Sequence, residues 1–261
     1  MRTKQETVSR LSATARRART ALFGGSALGI VALVLVIAPV AAAMGPVTHQ
    51  QAPYLTATPI ASANRVVQGP GASVNVLVPG TFSIYTGAAQ ERVATVVVAA
   101  GGATSVALQT TTLGLGGLAF TTTAAGTYRL TVGWTVSFHA EQVVRAGSLP
   151  HAMGLTSVIG ITATTSLVEP TTGLAVAGSV ATVTVWAQMV TQGGIVHAQA
   201  PQLVSFGPAP LVLAGTHAYT VSTTIQIVVG AYASPVAPPR SSVATLFYLD
   251  PATMLSFVNL A

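Results

Sequence analysis

Two residue pairs in this chain have types and a spacing that chemistry could use. His139 and Glu141 are two positions apart, so on an extended strand they share one face, and His151 precedes Met153 at the same interval. An imidazole beside a carboxylate is either an acid–base pair or part of a metal site, and an imidazole with a thioether is a ligand set that suits copper. His139, Glu141, His151 and Met153 are therefore the candidate metal ligands. No spacing fixes a third ligand beside either pair, so each keeps a plainer reading: exposed polar residues at 139 and 141, a loop histidine at 151 and a buried methionine at 153. No catalytic or cofactor-binding residue is assigned, and no cofactor is expected.

The rest of the chain supplies few groups for catalysis. From Met44 onward the acids are Glu91, Glu141, Glu169 and Asp250, the bases are Arg65, Arg92, Arg129, Arg145 and Arg240, and Lys is absent, for a net charge of 5 − 4 = +1. A nucleophile–His–carboxylate set or a close carboxylate pair has little to draw on, so a non-enzymatic protein is expected. Nucleic acid is excluded as a partner, because neutralising phosphates needs clustered Lys and Arg. Trp134 and Trp186 fall in apolar alternating segments and read as core rather than as sugar platforms. A surface so poor in charge suits either an acidic exterior, where carboxylates are neutral anyway, or an assembly that buries it.

Charge is concentrated at the N-terminus. Arg2, Lys4, Arg10, Arg16, Arg17 and Arg19 face the single acid Glu6 there, and Ala21 to Met44 follows without a charge. A basic stretch, an apolar run over residues 27–37, Pro39 and then Ala41-Ala42-Ala43 are the parts of a secretory signal. Residues 1–43 are predicted to be either a signal peptide cleaved before Met44 or a signal-anchor helix, since Leu22 to Met44 is long enough to cross a hydrocarbon core of ~30 Å. Both place the bulk of the chain outside the cell, in contact with membrane only through this segment if it stays uncleaved.

Beyond Gly45, β-branched residues alternate with others in short runs broken by Gly and Pro, which predicts an all-β fold. Two blocks recur in order. Thr86-Gly87-x-Ala89 leading to Val93-Ala94-Thr95-Val96-Val97-Val98 resembles Thr172-Gly173-x-Ala175 leading to Val180-Ala181-Thr182-Val183-Thr184-Val185, and Ala125-Gly126-Thr127 with Thr131-Val132 resembles Ala214-Gly215-Thr216 with Thr220-Val221, at offsets of 86 to 89 residues. Such a repeat predicts two tandem β-sandwich modules, over residues 69–147 and 148–261, behind an extended tether at 44–68. Gly114 to Gly117 reads as a turn between strands. The tail from Ser241 reads as a strand or hairpin extension of the second module, in which Asp250-Pro251 starts either a hairpin turn or a short helix.

Ala125-Gly126-Thr127-Tyr128-Arg129-Leu130-Thr131-Val132 resembles the penultimate strand of immunoglobulin-like modules in exported prokaryotic surface proteins. That resemblance implies an immunoglobulin-like sandwich in which the Tyr128 hydroxyl bonds back to the chain upstream and Leu130 fills the core. The second copy departs from it, with His217 aligned to Tyr128 and Tyr219 two residues later. His151-x-Met153 resembles the spacing in exported copper-binding β-sandwich proteins, and the basic-then-apolar leader resembles that of archaeal pilins until Pro39 interrupts it. The function expected is a structural or interaction protein of the cell exterior, such as a filament or coat subunit, partnered by itself or by other surface proteins. Tyr54 to Val67 is the candidate donor of a strand to a neighbour. A ligand-binding module for carbohydrate or copper is the alternative.

Overall fold

Alternation of period two builds twelve strands and, among the described residues, no helix. The structure, a computed structural model, describes residues 58–261 apart from 84–87, 148–152 and 192. The expected leader at 1–43, the first part of the expected tether and His151 lie outside the described residues. The strands are β1 (Thr58–Gln68), β2 (Ala72–Ser83), β3 (Ala88–Val98), β4 (Ser105–Thr121), β5 (Gly126–Tyr128), β6 (Leu130–Arg145), β7 (Leu155–Val168), β8 (Ala181–Val190), β9 (Gly194–Phe206), β10 (Leu211–Leu213), β11 (Ala218–Ala233) and β12 (Ser242–Leu260).

Two five-stranded antiparallel sheets form, sheet A in the order β1-β4-β11-β7-β8 and sheet B in the order β2-β3-β12-β6-β9, with β5 and β10 paired to each other. Their inner faces meet in a core around Trp134, Phe138, Phe247, Leu113, Ile159 and Ile225, all buried. Phe82 meets the Trp134 ring edge-on at 6.3 Å, and Phe138 lies 5.9 Å from Phe247. Trp134 is thus core, as its alternation predicts. Trp186, on an edge strand, is half-buried with its ring 5.0 Å from Phe138.

The expected division into modules at 69–147 and 148–261 does not describe this arrangement. Each sheet takes strands from both halves of the chain, and the described residues fall in one compact unit. The duplication survives as internal symmetry. Val144↔Gly194 on β6–β9 and Ala233↔Ser105 on β11–β4 are one pairing displaced by 89 residues, and the correspondence runs pair for pair to Trp134↔Val204 and Thr223↔Leu115. Under it β6 answers to β11, β9 to β4, β12 to β7 and β3 to β8, so the two repeats exchange strands across the sandwich. Only the second sequence block keeps its offset. Val93–Val98 pairs with Phe247–Ser242 at the start of β12, whereas Ala181–Thr184 pairs with Thr165–Thr162 in the second half of β7.

Three local expectations change for physical reasons. Residues 58–68 of the tether, including most of the segment considered as a strand donor, are β1, hydrogen-bonded to the chain's own β4 from Thr58↔Gly116 to Gln68↔Val106. The C-terminal tail is neither hairpin nor helix: β12 is a single strand between β3 and β6, and Asp250-Pro251-Ala252 is absorbed as a bulge because Pro cannot donate to a ladder. Gly114 lies inside β4, where a Cβ would run into the Thr223 carbonyl and the Thr224 Cα of β11. The glycine permits close approach of two strands rather than a turn.

Tyr128 Oη donates to the Ala124 carbonyl at 2.7 Å, and Leu130 is fully buried. In the second copy Tyr219 serves in a different way, its hydroxyl accepting from the Ala214 N–H at 3.1 Å.

Candidate functional site

The two outer faces differ in kind. On sheet A the outward rows Ser62–Thr112–Gln226–Thr162–Thr184 and Ile60–Gly114–Thr224–Thr164–Thr182 run across all five strands. Thr164 and Thr182 share a hydroxyl hydrogen bond of 3.0 Å, and no Asp, Glu, His, Lys or Arg projects from this face among the described residues of its strands. On sheet B the rows are Arg92–Tyr248–His139–Gln199 and Ala94–Leu246–Glu141–His197. The face is therefore where a chain with few ionisable groups collects them.

A groove of about 560 Å³ opens over these two rows. Strand β6 places His139 and Glu141 on one face, as their spacing predicts, and β9 brings His197 opposite Glu141. Tyr248 on β12 lies beside the His139 ring, with centroids 6.2 Å apart and planes at 25°. Arg92 closes one end from β3. Arg92, His139, His197 and Gln199 are exposed, while Glu141, Leu246 and Tyr248 are half-buried. The groove thus combines an aromatic platform with hydrogen-bonding groups of both polarities, the composition of a site for a polar, ring-shaped ligand.

Of the four candidate metal ligands, the structure brings together His139 and Glu141. Met153 is 65% exposed, not buried, because it sits in the turn before β7 beside Gly154, which accepts from the Ser234 N–H. His151 lies outside the described residues. Among the described residues no group of three His, Cys, Asp or Glu is placed to hold a metal ion.

Two clusters were missed by the sequence reasoning. His217 Nε2 lies 2.6 Å from Glu169 Oε1, half-exposed, tying the β7–β8 loop to the start of β11. Between the sheets, Glu91 is fully buried; the Thr111 hydroxyl donates to its Oε1, and Gln109 Nε2 donates to Thr111 Oγ1 at 3.1 Å. Glu91 Oε2 and Gln109 Oε1 have no hydrogen-bond partner. Burial pushes the Glu91 carboxyl up from 4.5 to about 7, against the opposing effect of the Thr111 bond. The only signal for either cluster was a single acid, Glu169 after an apolar run and Glu91 between Gln90 and Arg92, which does not name a partner.

No protein-family model matches the chain, and a search of curated proteins finds no match.

Proposed function

We propose that this chain is a non-enzymatic structural or interaction protein of the cell exterior, delivered by residues 1–43. One observation carries the reading: among the described residues the outer face of sheet A presents Thr, Ser and Gln with apolar residues, Ile60, Met189 and Tyr232 among them, across five strands with no formal charge. Covering such a face costs far less desolvation than covering ionised groups, and the Thr methyl and hydroxyl suit packed, hydrogen-bonded contact. Kinship with immunoglobulin-like surface modules belongs to the proposal at the level of the Tyr128 motif, and the bond from Tyr128 to Ala124 supports it. Antibody labelling of intact and permeabilised cells tests the location. Label on intact cells is expected; label that needs permeabilisation would overturn the reading.

The groove on sheet B supports a second reading, a carbohydrate-binding module, through the Tyr248–His139 platform flanked by Arg92 and Gln199. A glycan array probed with the wild type and with Tyr248→Ala tests it. Binding that survives the substitution, or no binding at all, counts against the groove.

A further inference from the structure

Internal symmetry makes the two flanks of the sandwich comparable. On one flank β1 and β2 pair along β4 and β3; on the other, among the described residues, the counterparts β9 and β8 end their sheets. Burial records the consequence. Ala107, Gln109, Leu113 and Leu115 on β4 are at most 3% exposed, whereas Val196, Ala198, Gln202 and Val204, their equivalents on β9, are only half-buried. On β8 itself Met189 is 67% exposed.

A free sheet edge is a template for another strand, and proteins block it with prolines, inward charges and bulges. Three of the four edges carry a proline: Pro59, with the inward-facing Arg65, on β1, Pro79, with two register shifts, on β2, and Pro201 on β9. Strand β8 has neither proline, glycine nor charge from Ala181 to Val190. Its one device is a single bulge that skips Val185, whose side chain turns inward and is 8% exposed, and the ladder to β7 continues on both sides of it.

We propose that β8 is a self-association edge, at which a second copy of this chain docks β8 against β8 in antiparallel sense about a two-fold axis. The two sheets A then continue into one. A second copy is the occupant the observations favour, because an uncharged strand sets no like charges opposite itself and a two-fold contact buries the same apolar residues on both partners. Head-to-tail pairing with a β1 edge would meet Pro59 and Arg65 instead. The proposal deepens the reading of an exterior interaction protein and rests on it only for its setting. Its test uses purified protein, so a negative result leaves the cellular location standing, and a misplaced location leaves the dimer standing.

The chain contains no Cys, so each Cys variant has a single thiol. Thr182→Cys, Thr184→Cys, Ala187→Cys and Met189→Cys are compared with Ser62→Cys on β1 and Gln226→Cys at the centre of sheet A, all in the full-length protein under mild oxidation in non-ionic detergent. A disulfide-linked dimer is expected as the main product for at least one β8 position and for neither control, since facing positions of an antiparallel pair meet the Cβ separation a disulfide needs. In parallel, sedimentation of the protein without introduced Cys is expected to report a dimer, and Thr184→Lys a halving of mass. Monomer at all four β8 positions, cross-linking as strong at Ser62→Cys, open-ended polymers, or a Thr184→Lys variant of unchanged mass would each overturn the proposal.

Discussion

Replacing Glu91 by Gln should remove a pH dependence from the stability of this protein. Glu91 is fully buried in the core side of β3, bonded through one oxygen to Thr111, and its carboxyl titrates near pH 7 rather than at the usual 4.5. An acid whose folded-state pKa is raised binds its proton more tightly when folded. The associated stability is therefore fully present below about pH 4.5, falls as pH rises toward 7 and is absent above. A gap of about 2.5 units at about 1.4 kcal/mol each amounts to roughly 3 kcal/mol. Gln keeps the shape and an oxygen for the Thr111 hydroxyl but cannot ionise. Urea unfolding at fixed ionic strength, from about pH 4 to about pH 8.5, should show the wild type losing about 3 kcal/mol relative to Glu91→Gln across that window, with the variant the more stable of the two at the alkaline end. Taking the difference cancels every contribution that the two proteins share. A variant curve parallel to the wild type, or a wild type that gains on the variant between pH 5 and 7, would refute the reasoning.

Other outcomes follow from the same structure. Trp134→Ala should cost about 3–5 kcal/mol by thermal or urea unfolding, because the ring is fully enclosed between the sheets. Residues 69–147 expressed alone should give no dispersed amide spectrum, since β4 loses β1 and β11 while β3 and β6 lose β12; a folded fragment would restore the two-module division. His217→Ala should cost only about 0.5–1 kcal/mol near neutral pH, less in high salt, because its pair with Glu169 is half-exposed; an unfolding midpoint shifted far beyond that would point to a larger role for the β7–β8 loop.

Much of the local structure can be read from the residues. The alternation of Thr131 to Phe138 places Trp134 and Phe138 inward, and the His139–Glu141 spacing puts both on the outer face. The repeat is also legible, and its second block keeps its offset in the pairing of β6–β9 and β11–β4. The groove is not legible in the same way. Its Tyr248, His197 and Arg92 come from three other strands, and only the register Arg92–Tyr248–His139 with Glu141↔His197 gathers them. Similarly, Glu91 looks like any polar residue of a half-exposed strand until β4 is laid over it.

What the sequence determines by itself is therefore the strand content, the side of each strand that faces the core, the poverty of charge after residue 43 and the existence of a duplication. These are properties of neighbouring residues and of composition, set by steric preference and burial. Tertiary structure alone decides that the repeats interleave, that a C-terminal tail becomes a central strand and that, among the described residues, one face is neutral and the other ionisable and β8 ends its sheet. Backbone hydrogen bonds do not depend on side-chain identity, so many partners satisfy a Thr- and Val-rich strand equally well. The choice among them is made by how the assembled apolar faces close over one another.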